Sequence, residues 1–246
     1  YVFYAAALLG LGLGFLVSAR NRATLILAVI LTFAAYHLFA WAGGRASFGT
    51  SVLLPVLVVA LAPTKWKRLA SVAIPGALLM FPLSLITAPT HPLYGFKSVL
   101  GRIGGDAIDN EYSSGRFEIW EKMLTQAMEK PLFGHGQIGT LDLFDEFSAG
   151  RALNAHNFFV HIAHAWGLLG LVAFAVGLLP FVPTIRARIA AQPSIAWPSF
   201  ALLLALALTS LLDGTLFYNQ PLFFCALGIA LLASMPAKRN TISVIG

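Results

Sequence analysis

Long apolar runs separated by short polar connections dominate the chain. Seven of them approach the roughly 20 mostly apolar residues that a helix needs to cross a hydrocarbon layer of about 30 Å. They are Val2–Val17, Ala23–Ala42, Thr50–Ala62 with Pro55 inside it, Leu69–Ala88, Asn157–Val182, Trp197–Leu212 and Leu216–Met235. The pattern predicts an all-α, polytopic membrane bundle with about seven transmembrane helices. Four spans with short connections occupy residues 1–89, one long polar connection fills 90–156, and three spans with a basic tail occupy 157–246. No internal repeat or low-complexity tract is visible. The apolar pattern begins at Tyr1 without an initiator Met or a basic leader, so the sequence reads as part of a longer chain and no signal peptide is expected.

Composition excludes two classes. Apolar residues make up 58% of the chain and charged residues 11%, far from an ordinary water-soluble domain, while 19 Phe, 6 Tyr and 5 Trp exclude a disordered one. The single cysteine, Cys225, rules out a disulfide framework and sits in an apolar run, where packing is its expected role.

Charge then orients the spans. Arg20 and Arg22, then Lys65, Lys67 and Arg68, then Arg186 and Arg188, and finally Lys238 and Arg239 fall in alternate connections, which the positive-inside rule assigns to the cytoplasm. The opposite set comprises Gly43–Gly49 with Arg45, the long connection, and Asp213–Thr215. Nine of the ten acidic residues lie in the long connection with six basic ones, a net of −3, whereas the remainder carries +9. The basic pI therefore reports topology, and no nucleic-acid partner is expected. A connection of this length is usually functional, so chemistry is expected there. The spans carry almost no charge, Asp213 at a span end being the nearest exception, which weakens a transporter or flippase reading.

Within the connection, residues 114–130 have helical periodicity, with Ser113 or Ser114 as cap and Pro131 as stop. Arg116, Trp120, Met123 and Ala127 share one face. Arg116 either snorkels or pairs with Glu118 or Glu121, or it serves as an anion clamp, since a guanidinium presents a planar fork of donors. Pro131-Leu132-Phe133-Gly134-His135-Gly136 follows as a glycine turn. His156-Asn157 lies eleven residues before Gly167, which is 3.06 helical turns, so His156 and Gly167 are expected on one helix face, about 16 Å apart. Ala163, Gly167 and Gly170 would let a second helix approach closely. An imidazole at that end is either satisfied by a backbone carbonyl or works as a base. His161 and His164 could join His135 or His156 in binding a metal, but no carboxylate or cysteine accompanies them in the span. Glu118, Glu121, Asp142, Asp145 and Glu146 read as solvated loop acids.

Gly115-Arg116-x-x-Ile119-Trp120, Pro131-Leu132-Phe133-Gly134-x-Gly136 and Ala155-His156-Asn157-x9-Gly167-x-x-Gly170, in that order, resemble the carboxy-terminal region of the O-antigen ligase and polymerase superfamily. The resemblance implies a GT-C-like helical glycosyltransferase in the bacterial inner membrane, its active site facing the periplasm. It implies catalytic roles for His156 and Arg116, and diphosphate binding by Arg116 and a second outer arginine. Arg45 is the candidate for the latter, with Arg102 and Arg151 as competitors; Asn157, Trp120 and Arg151 are possible supporting residues. The implied donor is a glycan on undecaprenyl diphosphate and the implied acceptor a lipid A-core sugar hydroxyl, within surrounding membrane lipids. No metal, nucleotide or other cofactor is expected. A polymerase that extends another lipid-linked repeat, or a protein O-oligosaccharyltransferase, are the alternatives within the superfamily, and a lipid-linked glycan flippase the alternative outside it.

Overall fold

The computed structural model describes residues 2–42, 45–87, 116–148, 155–213 and 219–234. Those residues form an all-helical protein without strands. The helices are α1 (Val2–Ser18), α2 (Arg22–Ala42), α3 (Arg45–Leu61), α4 (Trp66–Thr87), α5 (Arg116–Ala127), α6 (Gly136–Ser148), α7 (Phe158–Leu178), α8 (Phe181–Ala191), α9 (Pro193–Asp213) and α10 (Asn219–Ala233).

A helix stands at each of the seven apolar runs, yet their lengths differ from the expected seven spans. Among the described residues three helical stretches are long and apolar enough to cross a membrane alone: Arg22–Ala42, Phe158–Ala191, in which α8 continues α7, and Pro193–Leu211. Ser47–Leu61 and Pro63–Leu79 reach that length only together, and they are bent by 112° where a 3-10 turn at Pro63–Lys65 separates them. Val2–Ser18 and Gln220–Ser234 are shorter apolar helices. Pro63 accounts for the break between α3 and α4, since it offers no N–H to continue α3 and suits the first position of a new helical turn.

The bundle is built around α1. Lipid tails are as apolar as leucine, so helices in a membrane associate through close van der Waals contact, which small residues permit. The Leu9–Phe15 stretch alternates glycine with larger residues. A Cβ on Gly10 would stand 2.5 Å from the Ala201 carbonyl, and one on Gly14 would stand 2.4 Å from Pro198 Cα, so this face touches the α9 backbone. A Cβ on Gly12 would meet Thr32 of α2 at 2.5 Å on the other side. Moving from Gly14 back to Gly10 advances α9 from Pro198 to Ala201, so the two helices run antiparallel. Leu9, Leu13 and Leu16 are fully buried in the core that α1 shares with α2, α3, α4 and α9.

This arrangement defines two ends. One holds the start of α1, the close of α9 at Asp213 and the start of α3, because Thr50 and Thr209 hydroxyls meet at 3.5 Å. The other holds the close of α1, the Pro63–Lys65 turn and the start of α9, which surround a common cavity. Two helices were not foreseen. α6 occupies part of the stretch read as a glycine turn and loop acids, and α8 occupies part of the connection that holds Arg186 and Arg188.

Candidate active site

Three separate segments build the site. α5 carries Arg116 at its first turn, α9 ends on Asp213, and the turn before α7 carries His156. α5 is held by its apolar face: Ile119 and Met123 pack with Leu143 of α6 and Ala155, and Trp120 and Val160 flank them. The Trp120 indole N–H donates to the Ala155 carbonyl, which ties α5 to the residue just before His156.

Asn157 is the N-cap of α7. Its Oδ1 accepts from Phe159 N at 2.9 Å and Val160 N at 3.1 Å, satisfying two of the amides that a helix start leaves open. Its Nδ2 donates to the Leu211 carbonyl at 3.2 Å, so the same side chain fastens α7 to the last turn of α9. His156 therefore precedes the helix. It adopts φ 47°, the only positive φ at a non-glycine position among the described residues. That left-handed conformation is uncommon at non-glycine residues, and such positions concentrate at functional sites.

The two residues meet at one atom. Asp213 Oδ1 lies 3.2 Å from Arg116 Nη2 and 3.1 Å from His156 Nδ1. An ionised carboxylate only accepts, so His156 Nδ1 donates in this contact, and in the neutral ring the lone pair is then on Nε2. Arg116, His156 and Asp213 side chains are 24%, 29% and 27% exposed, open enough for a substrate to reach and shielded enough for their charges to matter more than in a bulk-exposed pair.

The expected helix face joining His156 to Gly167 does not form. His156 lies outside α7, and α7 itself is interrupted at Gly167, whose φ of 63° and ψ of −159° are not helical. Gly167 there admits a loop rather than another helix. Leu168 N donates to the Pro131 carbonyl at 2.8 Å and Leu169 N to the Leu132 carbonyl at 3.1 Å, in place of the carbonyls four residues back. The His164 carbonyl released by the break accepts from His135 N at 2.8 Å. A Cβ on Gly167 would stand 2.6 Å from the Leu132 backbone, and one on Gly134, at φ 69°, 2.5 Å from the His164 carbonyl. The glycine turn is thus a plug that completes a broken helix.

Three other histidines, His135, His161 and His164, lie around this plug. His135 and His164 rings stack with centroids 4.9 Å apart. His135 Nε2 donates to the Gln126 carbonyl at 2.7 Å, while His164 Nδ1 is 2.8 Å from Thr140 Oγ1 and its Nε2 3.0 Å from Gln126 Oε1. His161 Nε2 is 3.0 Å from Gln137 Oε1. Among the described residues no three His, Cys, Asp or Glu side chains converge as metal ligands.

Of the residues proposed from sequence, Arg116, His156, Trp120 and Asn157 come together. Arg45 opens α3 at the same end of the bundle, and its side chain lies outside the described residues, as do Arg151, Arg102 and the Ser113 and Ser114 caps. The sequence reading missed Asp213 as a site residue. One signal was available: it is the only acid outside the long connection, at the end of an apolar helix, where an unpartnered charge would be costly.

Comparison with known proteins agrees at the level of the family. No curated protein matches the chain, and no solved structure does. A family profile described as O-antigen ligase matches residues 6–175, more than half of the chain, covering Arg116 and His156 and stopping short of Asp213. With spans of membrane length on one side and a polar site at one end of the bundle on the other, this multi-pass membrane protein belongs to the O-antigen ligase family.

Proposed function

We propose that the chain transfers a glycan from undecaprenyl diphosphate to a sugar hydroxyl of lipid A-core, at the periplasmic face of the bacterial inner membrane. The observation that carries this reading is the meeting of Arg116 and His156 at Asp213 Oδ1. Family membership supplies the coarser statement, a membrane enzyme of the O-antigen ligase and polymerase type. The basic connections at the far end of the bundle support the orientation, since positive charge is retained on the inner side.

In this mechanism the acceptor hydroxyl approaches His156 Nε2. As its oxygen bonds to the anomeric carbon, the proton passes to Nε2 and the bond from that carbon to the diphosphate oxygen breaks, its electron pair leaving on the diphosphate. A single displacement of this kind inverts the anomeric centre. Asp213 holds the ring by Nδ1 and stabilises the imidazolium that forms. Arg116 turns part of its fork from Asp213 to the diphosphate and neutralises the charge that develops there. Arg45 is the second diphosphate ligand in this reading, supported by the position of the α3 start at the same end of the bundle. Trp120 and Asn157 act through the turn they hold rather than on substrate.

The test is transfer in vitro from a defined undecaprenyl-diphosphate glycan offered two competing acceptors, lipid A-core and a second lipid-linked repeat. Extension of lipid A-core supports the ligase. Extension of the lipid-linked repeat makes the chain a polymerase, and extension of neither rejects both, leaving a protein O-oligosaccharyltransferase or a lipid-linked glycan flippase.

A further inference from the structure

The end of the bundle opposite His156 holds a second polar feature that glycosyl transfer does not use. The chain leaves α1 at Ser18 and enters α2 at Arg22, with Asn21 Oδ1 accepting from Thr24 N at 2.8 Å. Arg68, near the start of α4, reaches across to this turn and donates to the carbonyls of Leu16 at 3.3 Å and Ala19 at 3.0 Å. Its guanidinium is thereby fixed against the close of α1. A cavity of about 260 Å³ remains beside it, lined by Ala19, Arg20, Asn21, Arg22, Leu25 and Arg68. Arg20 also borders a neighbouring cavity of about 360 Å³ that includes Lys65 and Trp197.

Arg20, Arg22 and Arg68 thus line one small cavity, and among the described residues no Asp or Glu belongs to its lining. Asp213 is at the other end of the bundle. Three cations around a cavity with no carboxylate in its described lining repel one another, and a bound anion relieves that repulsion. Planar donor forks match the oxygens of a phosphate group.

The surface below the cavity is apolar. Arg22, Ile26 and Ile30 succeed one another at helical spacing, all exposed, with Leu25 beside them. A molecule with a phosphate head and a hydrocarbon tail fits both features at once, which a free phosphate does not.

We propose that this cavity binds the phosphodiester headgroup of an anionic phospholipid, with an acyl chain lying along the Arg22–Ile26–Ile30 face of α2. The positive-inside rule puts this end at the cytoplasmic leaflet, where anionic headgroups are abundant. The lipid would brace the junction of α1, α2 and α4, far from the transfer site, and the proposal stands whichever acceptor that site uses.

The test is lipid retention by the purified chain in detergent, read by native mass spectrometry and by Tm. It is offered phosphatidylglycerol, phosphatidylcholine or inorganic phosphate. Phosphatidylglycerol is expected to stay bound and raise Tm, phosphatidylcholine to bind more weakly, and inorganic phosphate to leave Tm unchanged at the same concentration. The double variant Arg20→Gln/Arg22→Gln is expected to hold phosphatidylglycerol about tenfold less tightly, the size of effect that losing charge-assisted hydrogen bonds produces. Arg186→Gln/Arg188→Gln, on α8 at the same end but outside the cavity lining, is expected to match the wild type. Equal retention by wild type and Arg20→Gln/Arg22→Gln overturns the proposal. So does an equal loss in the α8 variant, which would mean diffuse surface charge, or a Tm rise reproduced by phosphate alone, which would mean a free-anion site. If the double variant fails to fold, Arg22→Gln and Ile26→Asn each carry the same expectation at smaller size, the second weakening lipid retention while leaving the guanidinium cluster intact.

Discussion

The α1–α9 seam and the plug around Gly134 and Gly167 are both places where glycine lets two backbones touch, but opposite physics holds them. In the seam, regular helices meet through Gly10 and Gly14, and contact is van der Waals. In the plug, α7 is irregular, and backbone hydrogen bonds from Leu168, Leu169 and His135 to another segment hold it together. Non-helical backbone in a membrane protein is tolerated only where other protein groups satisfy it. The seam can therefore serve as a passive frame, whereas the plug links α5, which bears Arg116, to α7, at whose start His156 stands.

The largest expected effect separates chemistry from frame. His156→Ala should lower transfer by about 10²- to 10⁴-fold, the usual weight of a general base, while Tm and helical circular dichroism stay at wild-type values. An undiminished ladder of glycan-bearing lipopolysaccharide from that variant would reject the assignment. Asp213→Asn should cost roughly 10³-fold in kcat, because the amide no longer fixes the imidazole tautomer or balances the imidazolium. A loss seen only in Tm would reduce Asp213 to a structural tie between α9 and the α7 turn. Arg116→Lys should fall about 10²-fold, since an ammonium keeps the charge but loses the fork that spans carboxylate and diphosphate. Wild-type transfer by this variant would favour simple charge pairing.

Glycine exchanges sharpen the contrast between the two regions. Gly134→Ala imposes a Cβ at φ 69° against the His164 carbonyl and should cost about 1–3 kcal/mol, read as a lower Tm in detergent with a fall in kcat. Gly10→Ala, against Ala201, should lower Tm by a comparable amount, with kcat falling less for the same loss of stability. Equal kcat losses at matched Tm would show that the plug has no special link to the site. The smallest expected effect is that of chelation: transfer should persist in EDTA, and activity recovered only by adding a divalent cation would overturn the metal-free mechanism.

Periodicity and charge made much of this readable in advance. The apolar runs at α2, α7 and α9, the amphipathic pattern of α5 and the ordered Arg116 and His156 motifs are local features. The misreadings were also local rules applied where distant contacts prevailed. Gly167 in an apolar run looks like a helix-packing residue, and only the Pro131–Leu132 carbonyls, more than thirty positions earlier, make a break there tolerable. His156 counts as part of a helix by spacing, yet Asn157 caps α7 one residue later. α6 was concealed by its opening glycine and its acids.

The sequence alone determined that this is a membrane bundle of the O-antigen ligase family, which end of it bears the basic connections, and which arginine and histidine to examine. Apolar length, charge placement and motif order are properties of neighbouring residues, so they can be read without a fold. Only the tertiary structure decided that Asp213 joins that pair, since it stands 97 positions from Arg116 and 57 from His156. No periodicity spans such separations. The packing of α9 against α1 and the fastening of Asn157 to Leu211 bring the carboxylate into reach.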